Sequence, residues 1–198
     1  NDIDNDQISA EDINVDDYLS DDEIPEYRLS ANNYSADDEE KTMPFASGSS
    51  FTQLLIDQLN TFSLNDNLYQ IAEFLIGSID DSGYIRRPLL DIMDDLAFTQ
   101  NLYTDEKTIE AALKVVHQLD PAGVGARNLQ ECLALQLQRK TQTINTGLAI
   151  DIIESGFDQF TKKHYQKLLQ KFNVTELQLR DAVLEIERLN PKPGSSFS

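Results

Sequence analysis

Between Val116 and Leu133 the chain reads VHQLDPAGVGARNLQECL, and this stretch gathers residue types that do chemistry: His117, Arg127, Cys132 and the glycine pair Gly123 and Gly125. Glycines spaced G-x-G ahead of a helix suit a phosphate cradle, in which backbone N–H groups close on an anion. A dinucleotide fingerprint also needs a third glycine and a preceding strand. Gly123-Val124-Gly125-Ala126-Arg127-Asn128 lacks that glycine and follows a helical pattern, and no Gly-Lys-Ser/Thr comes after it for a phosphate loop. A shaped corner accounts for the residues better. Leu119 ends a helix, Asp120-Pro121 forbids continuation, the glycines take a tight path, and Asn128 starts the next helix. Arg127 is the residue a corner does not need, and two roles stay open for it: contact with a partner, or an ion pair with Asp120.

Other chemistry finds less support. His117 and His164 are far apart, with no second His or Cys at ligand spacing for zinc. DIDND, counted from Asp2, matches the start of a calcium loop, but the sixth and twelfth positions are Gln7 and Ile13 where Gly and Glu are required. Cys132, the single cysteine, forms no internal disulfide and sits on an apolar helical stripe that should bury it, a poor setting for a nucleophile. Carboxylates crowd the first 45 residues, yet catalysis needs a rigid, dry pocket around them. The sequons at Asn33 and Asn173 carry little weight in an intracellular chain. The chain is read as no enzyme, with no metal and no cofactor.

The elements that must position the corner are helices. SFTQLLIDQLNTF, NDNLYQIAEFLIGSI, a short helix carrying Leu89, Ile92, Met93 and Leu96 behind Pro88, and TDEKTIEAALKVVHQL each repeat apolar residues at helical spacing. Gly83 makes DDSGY, residues 80 to 84, a turn between the second and third, and Thr104 is the expected N-cap of the fourth. Asn128 and Glu131 have capping-box spacing at the start of a fifth. NTGLAIDIIES, KKHYQKLLQKF and VTELQLRDAVLEIERL supply three more, the last capped by Thr175 with Gln178 and stopped by Pro191 and Pro193. The expected fold is all-α: two small helical bundles, residues 50–120 and 121–198, preceded by an acidic, disordered segment at 1–49.

Charge separates these parts. Of 35 acidic and 16 basic residues, residues 1 to 45 hold 15 and 2, a net of −13, whereas residues 121 to 198 hold 8 and 10. Scattered apolar residues among so many carboxylates cannot offset the entropy of ordering. The overall balance of −19 opposes generic nucleic-acid coating. No run approaches the roughly 18 apolar residues of a membrane span, and no signal peptide is present, so a cytoplasmic protein is expected. The start at Asn1 and the stop after NPKPG mark the chain as a piece of something longer.

LDPAGVGARNLQECL, IERLNPKPG and IGSIDDSGYI together resemble the bacterial sigma-54 (RpoN) transcription factors, across about residues 50 to 198. The motif positions are Gly83, Tyr84, Leu119, Asp120, Pro121, Gly123, Val124, Gly125, Asn128, Glu131, Asn190, Pro191, Pro193 and Gly194. Asn128 departs from the family's usual Asp but caps a helix about as well. The resemblance implies an all-helical domain of two subdomains that binds core RNA polymerase through its β and β′ subunits, with a variable acidic segment ahead of it. It further implies that promoter DNA is bound weakly or only within the holoenzyme. An ATP-dependent activator would act only through the intact parent, since the glutamine-rich N-terminal region and the promoter-reading C-terminal domain are not in this sequence.

On that reading Arg127, Lys162, Lys163, Lys167 and Lys171 are candidate polymerase contacts, the exposed apolar residues of the first bundle are hot spots, NPKPG is a linker, and the acidic segment is a spacer or DNA mimic. Two alternatives stand. One is a helix-turn-helix DNA-binding module at 164–189, disfavoured by Asp181, Glu185 and Glu187 in its second helix. The other is a helical interaction domain unrelated to transcription.

Overall fold

The computed structural model describes residues 50–195, and the expectations for residues 1–49 lie outside them. Nine helices form among the described residues, and the only β pairing there is an isolated parallel bridge between Tyr84 and Ala126. The all-α expectation holds.

Helix starts follow from side chains that answer free backbone N–H groups. Ser50 accepts from Gln53 N to open α1 (Phe51–Leu59), and Asn65 accepts from Leu68 N to open α2 (Asp66–Gly77). Helix α3 (Leu89–Gln100) follows Pro88. The cap of α4 (Glu106–Val116) is Asp105, not Thr104: the Asp105 carboxylate takes both Thr108 N–H and Thr108 Oγ1, at 2.7 and 2.6 Å. Those hydrogen bonds favour the ionised form and hold its pKa below the ordinary value.

Asn128 opens α5 (Leu129–Arg139) by accepting from Glu131 N, and Thr143 opens α6 (Ile144–Ser155) through a reciprocal box with Thr146. The helix expected from 162 starts later, and an unexpected one precedes it. Phe157–Thr161 forms the one-turn helix α7, too short for periodicity to reveal, and α8 (Tyr165–Phe172) begins only after Lys163, whose φ is 60°. The expected box of Thr175 and Gln178 opens α9 (Glu176–Glu187).

Two apolar clusters result. Leu55, Leu59, Ile71, Leu75, Ile92, Leu96, Ile109 and Val116 close the first, between α1 and α4, with α2 packed along α4. Leu133, Leu137, Ile152, Phe160, Leu168, Leu179, Val183 and Ile186 close the second, where α6 lies between α5 and α9. Val124, past the expected boundary at 120, still packs in the first cluster. A small third group of Tyr84, Ala126 and Cys132 sits between the two.

Glycine is required where backbones meet. Gly83 has φ +96°, and a Cβ there would stand 2.9 Å from both Gly194 N and Pro193 Cγ. Gly147, within α6, has nothing within 4 Å of the same atom. Gly83→Ala should therefore cost about 2–3 kcal/mol in urea unfolding, while Gly147→Ala should add about 0.5–1 kcal/mol. Equal effects at the two positions would contradict this account of the Gly83–Gly194 contact.

Candidate functional site

Three segments far apart in sequence meet in one joint: the turn at 80–85, the corner at 119–131 and the segment at 190–194. The turn is closed by its first residue. Asp80 Oδ1 accepts from Ser82 N and Tyr84 N at 3.0 and 2.9 Å, and Asp80 N donates to Tyr84 O at 2.8 Å. The corner then pairs with it as a strand would: Gly125 N donates to Gly83 O at 2.8 Å and Ile85 N to Ala126 O at 3.0 Å. From the other side Gly194 N donates to Ser82 O at 3.0 Å, and the Tyr84 hydroxyl donates to Pro191 O.

This last contact corrects an expectation. The NPKPG segment does not lead away as a linker, because Pro193 and Gly194 are buried against the turn. Gln136 pins it as well, donating through Nε2 to Asn190 O at 2.6 Å and accepting from Asn190 N at 2.8 Å. The same Nε2 lies 3.2 Å from the Sγ of buried Cys132. Burial pushes the Cys132 thiol up from its ordinary pKa, and burial, reinforced by Cys132, raises Tyr84.

Below the corner, the end of α4 is answered by side chains. Arg139, from the far end of α5, donates to His117 O and Leu119 O, both at 2.7 Å, and to Asp120 Oδ1 at 2.6 Å. Gln58 of α1 brackets the Asp120 backbone, donating to its carbonyl at 2.8 Å and accepting from its N–H at 2.7 Å. His117 Nε2 lies 3.0 Å from Gly125 O and 3.2 Å from Glu131 Oε1; two acceptors facing one nitrogen call for the proton on Nε2.

The ion pair considered between Arg127 and Asp120 does not form, since Arg139 occupies Asp120. Arg127 instead spans the joint, its Nε donating to Ile85 O at 2.8 Å and its Nη2 to Arg87 O at 2.6 Å. The box expected from Asn128 and Glu131 closes on one side only: Glu131 N reaches Asn128, while the Glu131 carboxylate turns to Arg127 N and His117.

A cleft of about 730 Å³ opens beside the joint, lined by Leu113, Lys114, His117, Arg127, Glu131 and Arg139 among others. The motif residues are thus brought together, and Gln58, Gln136 and Arg139 belong with them although no motif marked them. Gln136 left a trace in the sequence, a polar residue on the stripe of Cys132, Leu133 and Leu137; Gln58 and Arg139 left none. The four lysines stand apart from this network. Lys162 pairs with Asp158 at 3.1 Å, Lys163 lies in the turn before α8, Lys167 is exposed, and Lys171 donates to Ser155 O.

Among the described residues no three His, Cys, Asp or Glu side chains gather as a metal-holding group, and no helix is long and apolar enough to cross a membrane. The fold and the joint define an all-helical domain with two apolar cores locked together through three sequence motifs. Residues 41–198 match the family described as Sigma-54 factor, core binding domain, and the chain belongs to that family.

Relatives named RNA polymerase sigma-54 factor include one from Pseudomonas aeruginosa, 31% identical over 175 residues, covering 86% of this chain and 35% of the relative. One from Acidithiobacillus ferridurans is 37% identical over 158 residues, covering 76% and 32%. Another from Rhizobium meliloti is 35% identical over 154 residues, covering 77% and 28%. The chain thus spans about a third of the length of the curated relatives it matches.

The raised phenol at Tyr84 has a consequence for stability. The folded protein keeps a proton there that the unfolded chain releases near the ordinary tyrosine pKa of 10.0, so the contribution is whole below that pH and declines as pH rises past it. In urea titrations across this range Tyr84→Phe should flatten the decline; an unchanged slope would remove Tyr84 as its source. Buried Cys132 should also react with a disulfide reagent about 100-fold more slowly in the native protein than in urea.

Proposed function

We propose that this chain is a docking domain, without catalytic activity of its own, that binds core RNA polymerase through the β and β′ subunits and serves transcription initiation in the bacterial cytoplasm. The observation that carries the reading is the joint. Three motif segments spend their hydrogen bonds on one another, so the two bundles, 50–120 and 121–198, present a preformed surface instead of ordering on contact. The family match to a core-binding domain supplies the partner.

Within that surface, Lys162, Lys163, Lys167 and Lys171 supply polar rim contacts around α8. Arg127 has its guanidinium engaged by Ile85 O and Arg87 O, so its part is to hold the corner beside the cleft rather than to reach outward. Promoter recognition at −12/−24 elements and the response to an ATP-dependent activator are assigned to the intact parent, with DNA bound weakly or only within the holoenzyme. Helix α9 supports that assignment. It buries Leu179, Ala182, Val183 and Ile186 and carries four carboxylates against Arg180, which face phosphates poorly.

Fluorescence anisotropy of the labelled chain should show saturable binding to bacterial core polymerase and little to a promoter duplex. Lys163→Glu with Lys167→Glu should weaken core binding about 3–10-fold without loss of helicity. Salt-steep binding to DNA without binding to polymerase would overturn the assignment. Removing residues 1–45 should leave core affinity within about threefold if the segment is a spacer; a large loss would make it a direct contact.

A further inference from the structure

The end of α3 and the turn that follows it each display one aromatic side chain to solvent. Phe98 is 89% exposed and Tyr103 79%, while Leu90, two turns before Phe98 on the same helix, is 54% exposed. Leu90, Asp94 and Phe98 are spaced four apart and so share one face of α3. The opposite face carries Ile92 and Leu96 into the first core.

The turn itself is fixed. Asn101 takes a left-handed conformation at φ 50°, the N–H groups of Asn101 and Leu102 both donate to Leu96 O, and Leu102 packs against the first core. Asp105 then caps α4 immediately afterwards. Both aromatics are therefore carried on backbone already ordered by folding, and burying them against a partner costs little further entropy.

The charge around them is mostly acidic, with Arg87 and Lys107 the nearby cations. Helix α3 carries Asp91, Asp94 and Asp95 with no lysine or arginine, and Asp105 and Glu106 follow Tyr103. Arg87 engages Asp95, while Asp91 and Asp94 stay exposed. This setting selects among occupants. Nucleic acid would bring phosphates against carboxylates, and a second copy of this chain would bring two acidic faces together. A basic protein surface with an apolar recess gains on both counts.

We propose that the α3–α4 turn is a docking point for core RNA polymerase, with Phe98 and Tyr103 as anchors and Asp91 and Asp94 as the charged rim, seated on an apolar recess edged by Lys or Arg. The inference rests on the function proposed above and adds a second contact of opposite polarity to the lysines around α8. Acidic and basic contacts on one rigid body dock on surfaces of opposite charge, which fixes the orientation in which the domain lands.

The test is equilibrium titration of the labelled full chain with core polymerase at low and high salt, with thermal melting in parallel. Phe98→Ala/Tyr103→Ala should weaken binding about 30-fold or more with melting unchanged. Asp91→Asn/Asp94→Asn should weaken it about 3–10-fold at low salt and hardly at all at high salt. Wild-type affinity in the aromatic double variant, while Lys163→Glu/Lys167→Glu still weakens binding, would remove the turn from the interface and leave the broader reading standing. No binding by the unmodified chain would remove both. Self-association lost in the aromatic variant with core affinity intact would assign the turn to a second copy and overturn the proposal.

Discussion

Two glycine amides converge on one short turn, Gly125 N on Gly83 O and Gly194 N on Ser82 O, and the placement of one core against the other depends on that convergence. Each hydrogen bond contributes only about 1 kcal/mol net, but a buried backbone group left without a partner costs more than its bond contributes. The turn, the corner and the 190–194 segment therefore stand or fall together. Side-chain volume is excluded from the meeting point, since a Cβ on Gly194 would lie 2.6 Å from Asp81 O.

The polar groups that such a crossing would otherwise strand are each answered by a long side chain from another helix. Gln136 takes both backbone groups of Asn190, Gln58 takes both of Asp120, and Arg139 covers the carbonyls of His117 and Leu119 just past α4. An amide side chain suits the first two places because it carries a donor and an acceptor side by side, matching one residue's C=O and N–H. A guanidinium suits the third because it offers several donors, and its charge stabilises a helix C-terminus. Leucine at any of the three would pack, yet would lose the hydrogen bonds that tie these segments together.

Much of this was legible in the sequence. Helical spacing of apolar residues located the helices because their buried stripes are long, and Asn128 and Thr175 cap as expected of short polar side chains. The failures have physical causes. Thr104 and Asp105 are both good caps, and only the two-pronged grip of Asp105 on Thr108 decides between them. Phe157–Thr161 is a single turn and shows no period. The Asn190–Gly194 segment has the composition of a linker, and its burial depends on Tyr84 and Gln136, more than 50 residues away. Arg127 bonds to carbonyls at 85 and 87, which no local pattern encodes.

The grip of Arg139 on the end of α4 has a mechanical consequence. Helix α5 leaves the corner at Asn128, and eleven residues later Arg139 returns to the first cluster at His117, Leu119 and Asp120. A rod held at one end swings in two directions; held at both, it keeps only rotation about its own length. The second cluster is built along α5 and is also tied off that axis, by Gly194 N on Ser82 O and the Tyr84 hydroxyl on Pro191 O, so the roll about the axle is removed along with the sweep of a hinged arm.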